Sequence, residues 1–169
     1  FLRSRDGVAA PDPVPLFRAA LEDDAGNVYA HAMWAHNLAW TTGRLDDEVL
    51  GHFAEAEKSL RARLWLRNLQ FSVAYNRRAH TGYALVVADR MRQGGETPDP
   101  SQRDRLWRYV IDGPLMSAQE RDELLSALPP EQALLTFEWL YPPAQTVADR
   151  LPLHRFAHAL LQARAGQLD

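Results

Sequence analysis

Apolar residues recur along this chain at intervals of three and four, and almost every interruption of that rhythm carries glycine or proline. Pro11-Asp12-Pro13-Val14-Pro15 removes backbone donors and biases the intervening residues away from helix, so residues 1–15 are expected to form an extended lead-in. Leu16, Phe17, Ala20 and Leu21 then fall at helical spacing, and Asp24-Ala25-Gly26-Asn27 supplies a turn. A second helix is predicted over Val28 to Trp40, where Ala30, Ala35 and Ala39 suit a close helix contact beside Trp34 and Leu38. Thr41-Thr42-Gly43 ends it, and Leu45-Asp46-Asp47-Glu48 restarts the chain with acids where a helix N-terminus favours negative charge. Val49, Leu50, Phe53 and Ala56 form the next apolar stripe, and the short link implies an αα-hairpin.

Residues 60–93 are helical in character but too long for one ordinary globular helix, so a break is expected between Asn76 and Gly82. Gly94-Gly95-Glu96-Thr97-Pro98-Asp99-Pro100 has the strongest loop composition and is the expected internal boundary. Beyond it, Ser101 and Ser117 each stand three residues before an acid, which predicts helices over Ser101 to Ile111 and Ser117 to Leu128. Pro129-Pro130 and Pro142-Pro143 bracket another over Glu131 to Leu140, and Val147 to Ala165 closes the chain with an interruption at Pro152. No segment alternates like a strand. The expected fold is all-α, with about seven to nine helices arranged as hairpins over 16–93 and 101–169 on either side of the loop at 94–100.

Residues Phe17-Arg18-Ala19-Ala20-Leu21-Glu22-Asp23-Asp24-Ala25-Gly26-Asn27 resemble the second helix and exit turn of a tetratricopeptide repeat, with Ala25 in place of the usual proline. Trp34, Ala35, Leu38, Gly43-Arg44-Leu45-Asp46, Val49, Phe53 and Ala56 resemble a full repeat, with one extra residue near Thr41-Thr42 and another near Asp46-Asp47. Ala157-His158-Ala159-Leu160-Leu161 running into Gly166-Gln167-Leu168-Asp169 resembles a further first helix and turn, cut before its second helix. The resemblance covers residues 17–57 best, and 60–150 carry only helical character. It implies antiparallel helix pairs stacked as a right-handed α-solenoid, with a concave face that binds protein. Some such repeats clamp a C-terminal carboxylate with Lys and Asn; here His36 stands in the asparagine place, Asn37 follows one step late, and that helix has no Lys.

A chain of 169 residues, 46% hydrophobic, can bury its own core. The absence of cysteine excludes disulfides, thiolate metal sites and cysteine nucleophiles. No stretch approaches the roughly 20 apolar residues of a membrane helix, and the first residues lack the apolar core of a signal peptide. Cytoplasm is the default expectation, and a start at Phe1 suggests a segment of a longer polypeptide. Charge changes the picture more. Residues 1–57 hold four arginines against ten acids, 58–108 one lysine and ten arginines against four acids, and 109–169 four arginines against eight acids. The net charges are therefore -6, +7 and -4. The arginines of the middle segment either pair with acids such as Glu55, Glu57 and Asp89 on solvated faces, or line a groove for an acidic peptide or nucleic acid.

Candidate chemistry is sparse. His154 and His158 have the i,i+4 spacing of two metal-ligating imidazoles, but no third ligand accompanies them and Arg155 sits between. His31 and His36 diverge around their helix, and Asp23-Asp24 and Asp46-Asp47 fall at helix ends, where carboxylates stabilise termini. No serine occupies a nucleophile elbow, no glycine-rich loop is built for phosphate, and no metal or cofactor is expected. Trp65, Trp107, Trp139, Phe71 and Tyr75 are assigned to helix packing. The sequence therefore points to a non-catalytic helical domain that binds a protein or peptide, an acidic one if the arginines are free. His31, Asn37, Arg67 and Arg78 are the expected binding residues. Nucleic-acid binding through Arg61 to Arg108 and a helical enzyme with an unidentified site remain as alternatives.

Overall fold

The computed structural model describes residues 11–61, 63–76, 81–98, 118–140 and 152–166. Among them there are eight helices and no strand: α1 Val14–Asp23, α2 Val28–Thr42, α3 Asp47–Glu57, α4 Arg63–Asn76, α5 Thr81–Gln93, α6 Ala118–Ser126, α7 Pro130–Leu140 and α8 Pro152–Arg164. None of these is long and apolar enough to cross a membrane. The helix expected over 101–111, with Trp107, lies outside the described residues. The chain divides into two compact units, residues 1–66 and 67–169, and the division falls within α4. The expected boundary at 94–100 is different in kind: its described part, 94–98, is a turn inside the second unit.

In the first unit the helix ends are fixed by the residues the sequence placed there. Pro13 precedes α1, and Pro15 in its first turn loses no hydrogen bond because those amides have no helical acceptor. The Asn27 carboxamide oxygen accepts from the Ala30 amide at 3.0 Å, and Asp46 accepts from the Val49 amide at 3.1 Å. Asp47 and Glu48 add charge at the positive end of α3. The second helix runs two residues past its expected end at Trp40. Thr41 and Thr42 turn their hydroxyls back onto the Asn37 and Leu38 carbonyls, and Gly43, at φ 72°, closes the helix in the left-handed conformation that glycine adopts without penalty.

Four residues, 43–46, link α2 to α3 and fold it back alongside. Ala32, Ala35 and Ala39 form a fully buried small-residue stripe on α2, and Ala30 is buried on the other side of that helix. Val49, Phe53 and Ala56 are buried on α3, Phe53 to 1% of its exposed surface. The α1 helix packs on α2 and brings Phe17 to 6.4 Å from Trp34, but buries no residue fully.

In the second unit α5 packs against both α6 and α7, and α8 packs on α7. Among the described residues two clusters lie in its core. Phe71 and Ala74 of α4 meet Ala84, Val87, Ala88 and Met91 of α5 and Leu140 of α7, with Trp139 and Tyr83 at the edge. Leu85, Leu124, Leu134, Phe137 and Leu161 join α5, α6, α7 and α8. Gly82 permits the approach of α6 to α5: a Cβ there would lie 2.7 Å from the Glu123 carbonyl oxygen and 3.1 Å from Ala127 Cβ.

Replacing Phe53 by Ala is expected to cost about 3–5 kcal/mol of folding stability, measured by chemical denaturation. Gly82→Ala provides a second check. Helix propensity alone would favour Ala by about 1 kcal/mol, but the contact with backbone cannot relax by a rotamer change, so a net destabilisation of about 1–3 kcal/mol is expected.

Candidate functional site

The four residues singled out in the sequence occupy different surroundings. His31 is buried on α2: its Nδ1 lies 2.7 Å from His52 Nδ1 of α3, and its Nε2 lies 3.0 Å from the Ala25 carbonyl oxygen. Asn37 is half-buried on the same helix, and its carbonyl accepts from the Thr41 hydroxyl. Six residues separate His31 from Asn37, about 240° of helical rotation, so the two do not share a face. Arg78 lies outside the described residues.

Arg67 is 4% exposed. Its Nε and Nη2 donate to the two carboxylate oxygens of Glu96 at 3.2 and 2.9 Å, and its Nη1 donates to Gln70 Oε1 at 2.9 Å. The fully buried Gln70 then donates to the Tyr83 hydroxyl at 3.1 Å. This forked pair ties α4 to the turn after α5, a strong geometry for a guanidinium because both donors and both acceptors are used in one plane. The arginine expected to receive an acidic ligand is thus engaged by an acid of its own chain.

A second polar centre surrounds Asp89, which is 3% exposed on α5. Oδ1 accepts from Arg92 Nη2 and from the Thr136 hydroxyl, each at 2.8 Å; Oδ2 accepts from Gln93 Nε2 at 2.6 Å and Gln132 Nε2 at 2.5 Å. Burial opposes ionisation of Asp89, but the hydrogen bonds from Arg92, Thr136 and Gln132, with the Arg92 charge, outweigh it and hold the carboxyl below its ordinary range. Asp89 is paired by Arg92 of its own helix, and Glu55 is held by Lys58, at 2.6 Å on the solvent side. In unit 2 His158 stacks on Phe137 and its Nε2 lies 2.9 Å from Glu138. Among the described residues no group of three metal-ligating side chains comes together.

Two further arrangements had little signal in the sequence. The first surrounds His31: His52 is stacked between elements, its ring 4.5 Å from that of Trp34 and nearly parallel to it. The second is apolar and exposed. Tyr29 of α2, 57% exposed, lies 5.0 Å from the half-buried Trp65 of α4, and Leu60 and Leu64, which precede Trp65 in the chain, are 76% and 58% exposed. Arg61, also exposed, stands next to Leu60 in the chain. Leucines at i and i+4 are ordinary core spacing, and only their partners in space distinguish core from surface. Compared with known proteins, the chain matches no family model, no curated protein and no solved structure.

Because the folded Asp89 binds its proton less readily than an unfolded aspartate, its contribution is complete above about pH 4 and is lost as pH falls through the lower, folded value. Asp89→Asn is expected to cost about 2–3 kcal/mol at pH 7, since donors of Gln93 and Gln132 lose their acceptor. The variant should also lose this part of the stability change below pH 4. Denaturant midpoints measured from pH 7 to pH 2.5 test both.

Proposed function

We propose that this chain is a tetratricopeptide-like helical-hairpin module that binds a protein partner through the apolar surface formed by Tyr29, Leu60, Leu64 and Trp65. The exposure of three of these side chains, Tyr29, Leu60 and Leu64, on one unit carries the reading, with Trp65 half-buried against Tyr29. Exposed Tyr29, Leu60 and Leu64 are costly in water, and with Trp65 against Tyr29 they make a suitable anchor site for a partner that covers them. The repeat-like reading is supported by the α2–α3 hairpin, where the small alanines and Phe53 fill the positions that the resemblance assigns to helix packing.

The partner that fits this surface is an amphipathic helix presenting apolar residues at i, i+3 or i+4, with an acidic flank toward Arg61. The acid preference first attached to Arg67 moves to Arg61, because Arg67 already neutralises Glu96. The reading is of a binding module, with no catalytic residue and no cofactor, and its ligand site is small enough to be tested residue by residue.

A display library of helical peptides selected on the full chain should enrich apolar sequences with acidic flanks. Binding of the selected peptides should weaken at least tenfold with Tyr29→Ala or Leu64→Asp, each altering an exposed side chain. Arg61→Glu should remove the acidic preference and leave the apolar one. Selection of no peptide, or binding indifferent to Tyr29 and Leu64, would remove the reading. Binding of oligonucleotide that falls steeply with salt would place the chain in the nucleic-acid class instead.

A further inference from the structure

We propose that His31 and His52 form a proton-operated latch: they join α2, α3 and the α1–α2 turn at neutral pH and release that junction when the chain is acidified. The separation of the two Nδ1 atoms, 2.7 Å, is that of a hydrogen bond, so one nitrogen carries a proton and the other accepts it. The Ala25 carbonyl can only accept, so His31 Nε2 bears hydrogen. A neutral His31 then has its lone pair on Nδ1, which makes His52 Nδ1–H the donor. The same separation leaves no room for a metal between the rings, since two nitrogens each about 2.0–2.1 Å from one ion cannot stand 2.7 Å apart in tetrahedral geometry.

One additional proton can be taken up at His52 Nε2 without breaking this arrangement. A second cannot. It would have to sit on His31 Nδ1, placing two N–H groups and two positive charges face to face within 2.7 Å. The unfolded chain has no such restriction, so it takes up more protons than the folded one as pH falls below about 6.5.

The neighbouring groups determine where the change falls. On α3, Glu48 and Glu55 favour a charged His52, Glu55 being itself bound to Lys58; burial, first, and the charge of His31 oppose it, and the net effect lowers the proton affinity of His52. On α2, His36 is buried against Trp40, and burial lowers its proton affinity too. Packed on α2, α1 faces the group through Phe17, which lies against Trp34 of α2; the charged C-terminal residues of α1 are Glu22 and Asp23, followed by Asp24, whose carboxylate accepts from the Gly26 amide. Tyr29 on α2 meets Trp65 of α4, where Arg61 and Arg63 are the nearby charges in sequence. His52 and His36, both on this hairpin, therefore act in the same direction as the excluded second proton of the pair, and each proton excluded from the folded state raises the unfolding constant about tenfold per pH unit below the unfolded value.

The tautomers and the release are separately measurable on the full chain. Imidazole 15N spectra at pH 7.5 should show His31 protonated on Nε2 and His52 on Nδ1, the less common tautomer. Amide hydrogen exchange across 27–57 should accelerate at least tenfold, relative to the intrinsic rate, between pH 7 and pH 5. His52→Gln keeps a side-chain donor but cannot titrate, and should reduce that acceleration severalfold; if the variant lowers protection already at pH 7, the tautomer spectra decide alone. Two histidines both protonated on Nε2 at pH 7.5, or both fully charged at pH 5 with unchanged protection of 27–57, would overturn the latch.

Discussion

A helix face made of alanine carries no ring of its own and lets a neighbouring helix come close, and much of the first unit follows from that constraint. On α2 the buried stripe is Ala32, Ala35 and Ala39; on α5, Gly82 faces α6 while Ala84 and Ala88 lie in the cluster shared with α4 and α7. Close packing at these seams gains dispersion contacts over backbone and Cβ atoms. It also expels the rings. Trp34, Tyr29 and Trp40 lie on the same helix as the alanine stripe but at its margins, half-buried or exposed, and each finds another ring there: His52, Trp65 and His36. The surface proposed to bind a partner and the histidine latch are both products of this displacement.

Polar groups in the second unit obey a different requirement, that a charge removed from water be surrounded by donors or acceptors. Asp89 receives four side-chain hydrogen bonds, two from its own helix and two from α7, and Arg67 receives both oxygens of Glu96. These pairings fix which turn of one helix faces which turn of another, because an apolar contact tolerates sliding and a forked hydrogen bond does not. The price is acid sensitivity at Asp89, whose arrangement needs an ionised carboxylate. The first unit responds to acid through imidazoles and the second through Asp89, so the two respond in separate ranges of pH.

Local rules made the helical elements legible before any contact was known. Apolar spacing identified α1, α2, α3, α5, α6 and α7, and the break between Asn76 and Gly82 separates α4 from α5 as expected. Asp46 was recognisable as a helix start and Gly43 as a stop, because capping and left-handed turns depend on a few consecutive residues. The same spacing left the role of each arginine undetermined. Arg67 and Arg61 are six residues apart in one basic run, yet one is enclosed by Glu96 and Gln70 and the other is exposed.

The sequence by itself determined that the described chain is helical, where most of its helices begin and end, and that α2 would meet a neighbour through alanine; these depend on backbone chemistry and periodicity over a few turns. Only the tertiary structure decided which polar groups are satisfied and which apolar ones are left in water. His31 and His52 are 21 positions apart, and Asp89 and Thr136 are 47 apart. Whether such residues meet depends on helix rotation and on the axial offset between packed helices. Those are fixed by the sum of many contacts, and a residue's own neighbours in sequence carry no record of them.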